Sequence, residues 1–159
     1  MLLVALILLN SISNADNLSL KYGIGFGLPN QLDTAEAKYL SLGYETPVSN
    51  IFRSKLDLGG WFSSPNQYGR RNTGFSSLSI GMRVEPGFLY VENYFGAAYL
   101  TDTDTVLGCN FEFTEEFGIG IKDSKGRSTG LEYRHFSNAG ISQINKGRDF
   151  ILVNIGIPL

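Results

Sequence analysis

LSLKYGIGFG, residues 18–27, alternates without a break: Leu18, Leu20, Tyr22, Ile24 and Phe26 fall on one side, Ser19, Lys21, Gly23 and Gly25 on the other. A period of two is the mark of an extended strand with two unlike faces. The pattern recurs along the chain, and no segment sustains a helical period. Eight strands are expected, near residues 18–27, 35–45, 53–62, 75–84, 88–100, 107–122, 128–138 and 149–157. The second is the least regular, and the fifth has aromatics on both faces. In the sixth, Phe111, Phe113, Phe117, Ile119 and Ile121 oppose Asn110, Glu112, Thr114, Glu116 and Gly120.

The connections differ in character. Glu85-Pro86-Gly87 and Asp123 to Gly126 are tight turns, whereas 63–73, 101–105 and 140–146 are longer and polar. Short turns at one end, longer loops at the other, an even strand count and segments near ten residues describe an all-β, eight-stranded antiparallel transmembrane β-barrel. Closure also removes the sheet edges that an open exported sheet would expose. The charged alternate positions Lys21, Arg53, Lys55, Asp57, Arg83, Glu112, Glu116, Glu132 and Arg134 would then face the lumen, where mixed signs pair into a polar plug. Trp61, Phe62, Tyr90, Tyr94, Phe95 and Tyr99 suit an interfacial girdle or packing. A soluble lipocalin-like lipid-binding barrel has the same strand count with the faces inverted. Polar faces rich in Gly and Ser, sized for a narrow lumen, favour the membrane form.

A chain of 159 residues allows one domain. Its 19 glycines and abundant aromatics suit strands closed by tight bends, and a formal charge of −2 supplies no basic patch for nucleic acid. One cysteine, Cys109, cannot form an internal disulfide. Leu2 to Leu9 is a continuous apolar run, too short to span a bilayer as a helix, and Ser13-Asn14-Ala15 offers small residues at the positions a signal peptidase reads. Residues 1–15 are therefore expected to be a signal peptide, although no Lys or Arg precedes the run, and residues 16–159 an outer-membrane barrel domain.

The stretch RHFSNAG, Arg134 to Gly140, holds the one histidine, His135, two residues before Ser137. Residues two apart on a strand share a face, so an imidazole and a hydroxyl lie side by side. A serine is a poor nucleophile until a base takes its proton, and the base works best when a carboxylate orients it. After the loop that follows Ser137, an antiparallel return brings Asp149 beside the top of the seventh strand. Asp149 shares parity with Ile151, Val153 and Ile155, the apolar side, which is also the side of Leu131, Tyr133, His135 and Ser137. All three candidate groups would face lipid. No metal cluster, phosphate loop or nucleotide fingerprint is present in the sequence.

The run from Arg134 to Ile141, followed by Asn145, Gly147 and an acid at position 149, resembles the outer-membrane lipid A 3-O-deacylases of the PagL family. The clear resemblance covers the last two strands and their loop. It implies an eight-stranded barrel whose Ser-His-acid triad lies on the outer wall. Ser137 would be the nucleophile, His135 the general base and Asp149 the orienting acid, with Asn145 and Asn138 helping to form the oxyanion hole. The family's acid is typically glutamate, one methylene longer than Asp149. The implied reaction is hydrolysis of the ester-linked 3-hydroxyacyl chain at the 3 position of lipid A. It needs no cofactor and takes lipopolysaccharide of the outer leaflet as partner; a homodimer is left open. A non-enzymatic small barrel serving adhesion or envelope integrity is the alternative of a different class.

Overall fold

The computed structural model describes residues 16–26, 37–63, 72–103 and 107–159; the expected signal peptide lies outside these residues. Eight strands form a closed ring in which each pairs with its chain neighbours and β8 returns to β1. They are β1 (Asn17–Phe26), β2 (Ala37–Pro47), β3 (Phe52–Ser63), β4 (Thr73–Val84), β5 (Leu89–Leu100), β6 (Phe111–Lys122), β7 (Ser128–Ser137) and β8 (Arg148–Pro158). Every pairing is antiparallel. The seam sets Leu18 opposite Ile157 and Phe26 opposite Asp149, and Leu159 N–H donates to Asp16 O at 2.8 Å.

The alternation in sequence becomes an inside and an outside. Leu20, Ile24, Leu42, Leu58, Ile80, Ile119, Leu131 and Ile155 are all exposed on the outer wall, while Lys21, Asp57, Glu116, Glu132 and Arg134 are buried inside. A soluble barrel of the lipocalin kind would show the opposite, so that alternative is set aside: an apolar band around a charged interior is what hydrocarbon solvent selects. Lys21 Nζ sits 3.3 Å from Asp57, 2.9 Å from Glu116 and 3.1 Å from Glu132, and Lys55 pairs with Glu116. The lumen is thus filled by ion pairs rather than open.

Toward the long-loop end this plug gives way to rings. Tyr39, Trp61, Phe75, Phe136 and Phe150 are buried together, with centroids 4.9 Å apart for Tyr39–Phe150 and 5.3 Å for Trp61–Phe136. Arg134 lies 5.2 Å from Phe75 and 5.0 Å from Phe136, and Arg148 5.5 Å from Trp61, placing cations on ring faces. The aromatics that suited a girdle therefore divide. Phe62, Phe95 and Tyr99 face outward, whereas Trp61, Tyr90 and Tyr94 pack inside.

Strand bounds follow the sequence pattern within a few residues, with the largest difference at β6, which starts at Phe111 rather than near Leu107. Leu107 is turned inward and buried, and Asn110 closes the end of β5 by exchanging bonds with Leu100 at 2.8 Å each. Cys109 accordingly sits in this connection, half-buried, and not in a strand.

Candidate active site

β7 carries Tyr133, His135 and Ser137 outward and Arg134 and Phe136 inward, as strand geometry requires. Each outward group is backed by an inward anchor. Phe136, between His135 and Ser137, and Phe150, next to Asp149, are fully buried with ring centroids 6.0 Å apart. Arg134 donates to Tyr39 Oη at 2.7 Å and Ser77 Oγ at 2.6 Å. The outer wall at this point is therefore held from within by packed rings and a buried guanidinium.

In register, His135 stands directly opposite Asp149. His135 Nδ1 and Asp149 Oδ1 are 2.7 Å apart, which engages Nδ1 and leaves Nε2 as the ring nitrogen able to exchange a proton with a hydroxyl. The same Oδ1 accepts a hydrogen bond from Tyr133 Oη at 2.5 Å. The side chain of Asp149 is only 7% exposed although its position is on the lipid side, because His135 and Tyr133 cover it. Ser137 and His135 line one pocket of about 180 Å³ with Phe95, Phe113, Glu115 and Ala139. The structure thus brings the acid and the imidazole into contact and sets the hydroxyl in the same pocket. Among the described hydrogen bonds there is none from Ser137 to His135.

The loop after Ser137 is built by Asn138. Its Nδ2 donates to Leu107 O at 2.5 Å and Ile144 O at 2.8 Å, and its Oδ1 accepts from Gly140 N–H at 3.0 Å. Ala139 (φ 51°) and Gly140 (φ 84°) are both left-handed, and Ile141 N–H bonds Asn138 O at 3.0 Å, which makes a type I′ turn immediately after Ser137. Asn145, exposed, accepts the Asn138 backbone N–H on Oδ1 at 3.0 Å, so its amide is tethered to the peptide that follows Ser137. The two asparagines therefore differ. The amide group of Asn138 is spent on the loop, while Asn145 keeps its Nδ2 end as a donor.

Gly147 closes the site from the other side. Its φ of +70° favours glycine, and a Cβ placed there would come within 2.6 Å of His135 Cε1. Two further residues escaped the sequence pattern. Tyr133 was legible as an outward residue but not as a partner of Asp149. Glu115 interrupts the outward row Phe113–Glu115–Phe117 and stands opposite His135 in register; its parity alone would have marked it. Glu92, Glu116 and Glu132 bring carboxylate oxygens within 4.8 Å of one another in the lumen, but Lys21 and Lys55 already lie among them. That cluster is part of the plug.

An eight-stranded closed barrel with an apolar outer wall, a charged interior and an acid–histidine pair facing lipid is an outer-membrane β-barrel with a surface site. The family model described as "Lipid A 3-O-deacylase (PagL)" matches residues 38–158, and the chain belongs to that family. Two curated relatives are each named lipid A deacylase PagL. The one from Bordetella bronchiseptica is 37% identical over 65 residues, covering 39% of this chain and 36% of the relative. The one from Pseudomonas aeruginosa is 27% identical over 106 residues, covering 62% of this chain and 60% of the relative. The matched stretches thus span about a third and three fifths of those relatives' lengths. A crystal structure of the outer membrane enzyme PagL superposes with a TM-score of 0.71 at 19% identity, over 90% of this chain and 99% of that one. Neisserial surface protein A gives a TM-score of 0.58 at 9% identity, over 91% and 96%. At these identities the superpositions establish the shared fold.

Proposed function

We propose that the protein is a serine esterase of the outer membrane that hydrolyses the ester-linked 3-hydroxyacyl chain at the 3 position of lipid A. The observation that carries this reading is the 2.7 Å contact between His135 and Asp149 on the lipid-facing wall, beside Ser137. Family membership and the relatives' names support the substrate. So does the location: an ionisable pair on a surface bathed in hydrocarbon is costly, and a lipid substrate that comes to that surface gives it a use.

In this mechanism Ser137 Oγ attacks the ester carbonyl while His135 Nε2 takes its proton, and Asp149 stabilises the imidazolium through Nδ1–H. The oxyanion of the tetrahedral intermediate is met by the Nδ2 donor of Asn145, with Asn138 shaping the loop that presents it. Collapse breaks the bond to the sugar oxygen, which leaves with the proton from His135. Water, activated by the same imidazole, then releases the acyl chain from Ser137 as a 3-hydroxy fatty acid. The pocket walls Phe95 and Phe113, stacked at 5.9 Å, suit the alkyl chain near the ester. No metal or cofactor is required by these steps.

The test is the lipid A of cells expressing the chain. Mass spectrometry should show loss of one ester-linked hydroxyacyl chain, with the rest of the molecule unchanged. An unaltered spectrum from a strain in which the barrel is demonstrably in the outer membrane would favour the non-enzymatic alternative. Gly147 supplies a second check. Gly147→Ala forces either the imidazole or the loop to move, and a displacement near 1 Å at a reacting group costs about a hundredfold in rate. We expect that loss in deacylation by the purified variant, with migration on heated and unheated detergent gels like that of the parent.

A further inference from the structure

We propose that Tyr133 is a positioning residue for the acid of the site, holding Asp149 in the one orientation that serves His135. This rests on the Ser137–His135–Asp149 reading above. The phenolic hydroxyl donates to Asp149 Oδ1 at 2.5 Å, and that same oxygen is the one 2.7 Å from His135 Nδ1. The geometry follows from register. His135 is directly opposite Asp149, and Tyr133, two residues earlier on the same face, is its diagonal neighbour. Diagonal pairs across antiparallel strands are too far apart for short side chains but within reach of an aromatic one.

An aspartate needs such help. With a single methylene between backbone and carboxylate, it reaches a directly opposite imidazole in few rotamers, and on a lipid-facing wall there is little water to hold it in any of them. The cross-strand partners of Tyr133 are Phe117 and Ile151, both apolar, and its hydroxyl is directed at the carboxylate. Two donors converging on Oδ1 fix the side-chain torsion and direct the carboxylate at Nδ1. The hydroxyl acts on the reaction through Asp149 and not by touching substrate.

A double-mutant cycle tests this, using full-length barrels purified in detergent and lipopolysaccharide that carries a 3-O-hydroxyacyl chain. Tyr133→Phe keeps the ring and removes the donor. We expect kcat to fall about tenfold with KM unchanged, the scale of one hydrogen bond to a charged group. On an Asp149→Asn background the same change should have no further effect, because its target is gone. The proposal is overturned if Tyr133→Phe keeps parental kcat, if it lowers kcat by the same factor in both backgrounds, or if KM moves instead. Should Tyr133→Phe not close into a barrel, Tyr133→Leu is carried through the same cycle under the same criteria. Ser137→Ala and Asp149→Asn alone report on the underlying reading: full activity in either would remove the triad itself, a result separable from that of the Tyr133 variant.

Discussion

Ser137→Ala should give a closed, correctly inserted barrel that no longer deacylates lipid A, with a rate loss of at least about a thousandfold. The hydroxyl is the only group the mechanism asks to form a covalent bond. Removing it leaves the His135–Asp149 contact and the pocket walls in place, so whatever activity persists reflects binding and oxyanion contacts acting on water. The side chain is outward, small and only partly covered, and its removal should change stability by no more than about 0.5 kcal/mol. The measurement is paired: lipid A mass spectra from cells expressing parent and variant at equal barrel levels, and thermal unfolding of both proteins in detergent. A variant that still trims one hydroxyacyl chain at the parental rate would rule out the acyl-enzyme route through Ser137.

The second large effect lies inside the barrel and concerns folding, not chemistry. Lys21 is fully buried and touches three carboxylates, Asp57, Glu116 and Glu132. Lys21→Met preserves length and most of the volume but leaves those acids with one cation fewer in a space closed to bulk water. Breaking a buried network by removing one partner costs about 3–5 kcal/mol, because the remaining charges stay desolvated. We expect the unfolding midpoint in denaturant to fall accordingly for barrels in lipid vesicles. Protein that does fold should keep its deacylase rate, since the ammonium lies in the lumen and the reacting groups lie on the opposite side of the wall. Unchanged stability would mean that water or neighbouring Lys55 and Arg134 compensate fully.

Much of this architecture could be read beforehand because a barrel wall is one residue thick. Parity alone sends Lys21 in and Tyr22 out, and the same rule puts His135, Ser137 and Asp149 on one surface without any knowledge of tertiary packing. What parity cannot supply is contact. It treats Tyr133 as one more outward aromatic and has no means of seeing its hydroxyl reach diagonally to Asp149 on the neighbouring strand. It gives Asn138 and Asn145 equal standing, although one is consumed by carbonyls at 107 and 144 and the other is not. In β3 it does place Trp61 on the side of Arg53, Lys55 and Asp57 and Phe62 on the other, but it has no means of showing Trp61 packed against Arg148.

The seam between β1 and β8 also has a bearing on the candidate site. Ser137 and His135 are delivered by β7, but Asp149 arrives on β8, the last strand of the chain, and Asp149 is itself paired with Phe26 of the first strand. The β7–β8 hairpin alone can set His135 opposite Asp149, but only the closed ring holds the Asp149 strand along both of its edges. Ring closure therefore braces the strand that carries the candidate acid on its second edge, so a substitution that loosens the β1–β8 seam should loosen the His135–Asp149 contact without touching either residue.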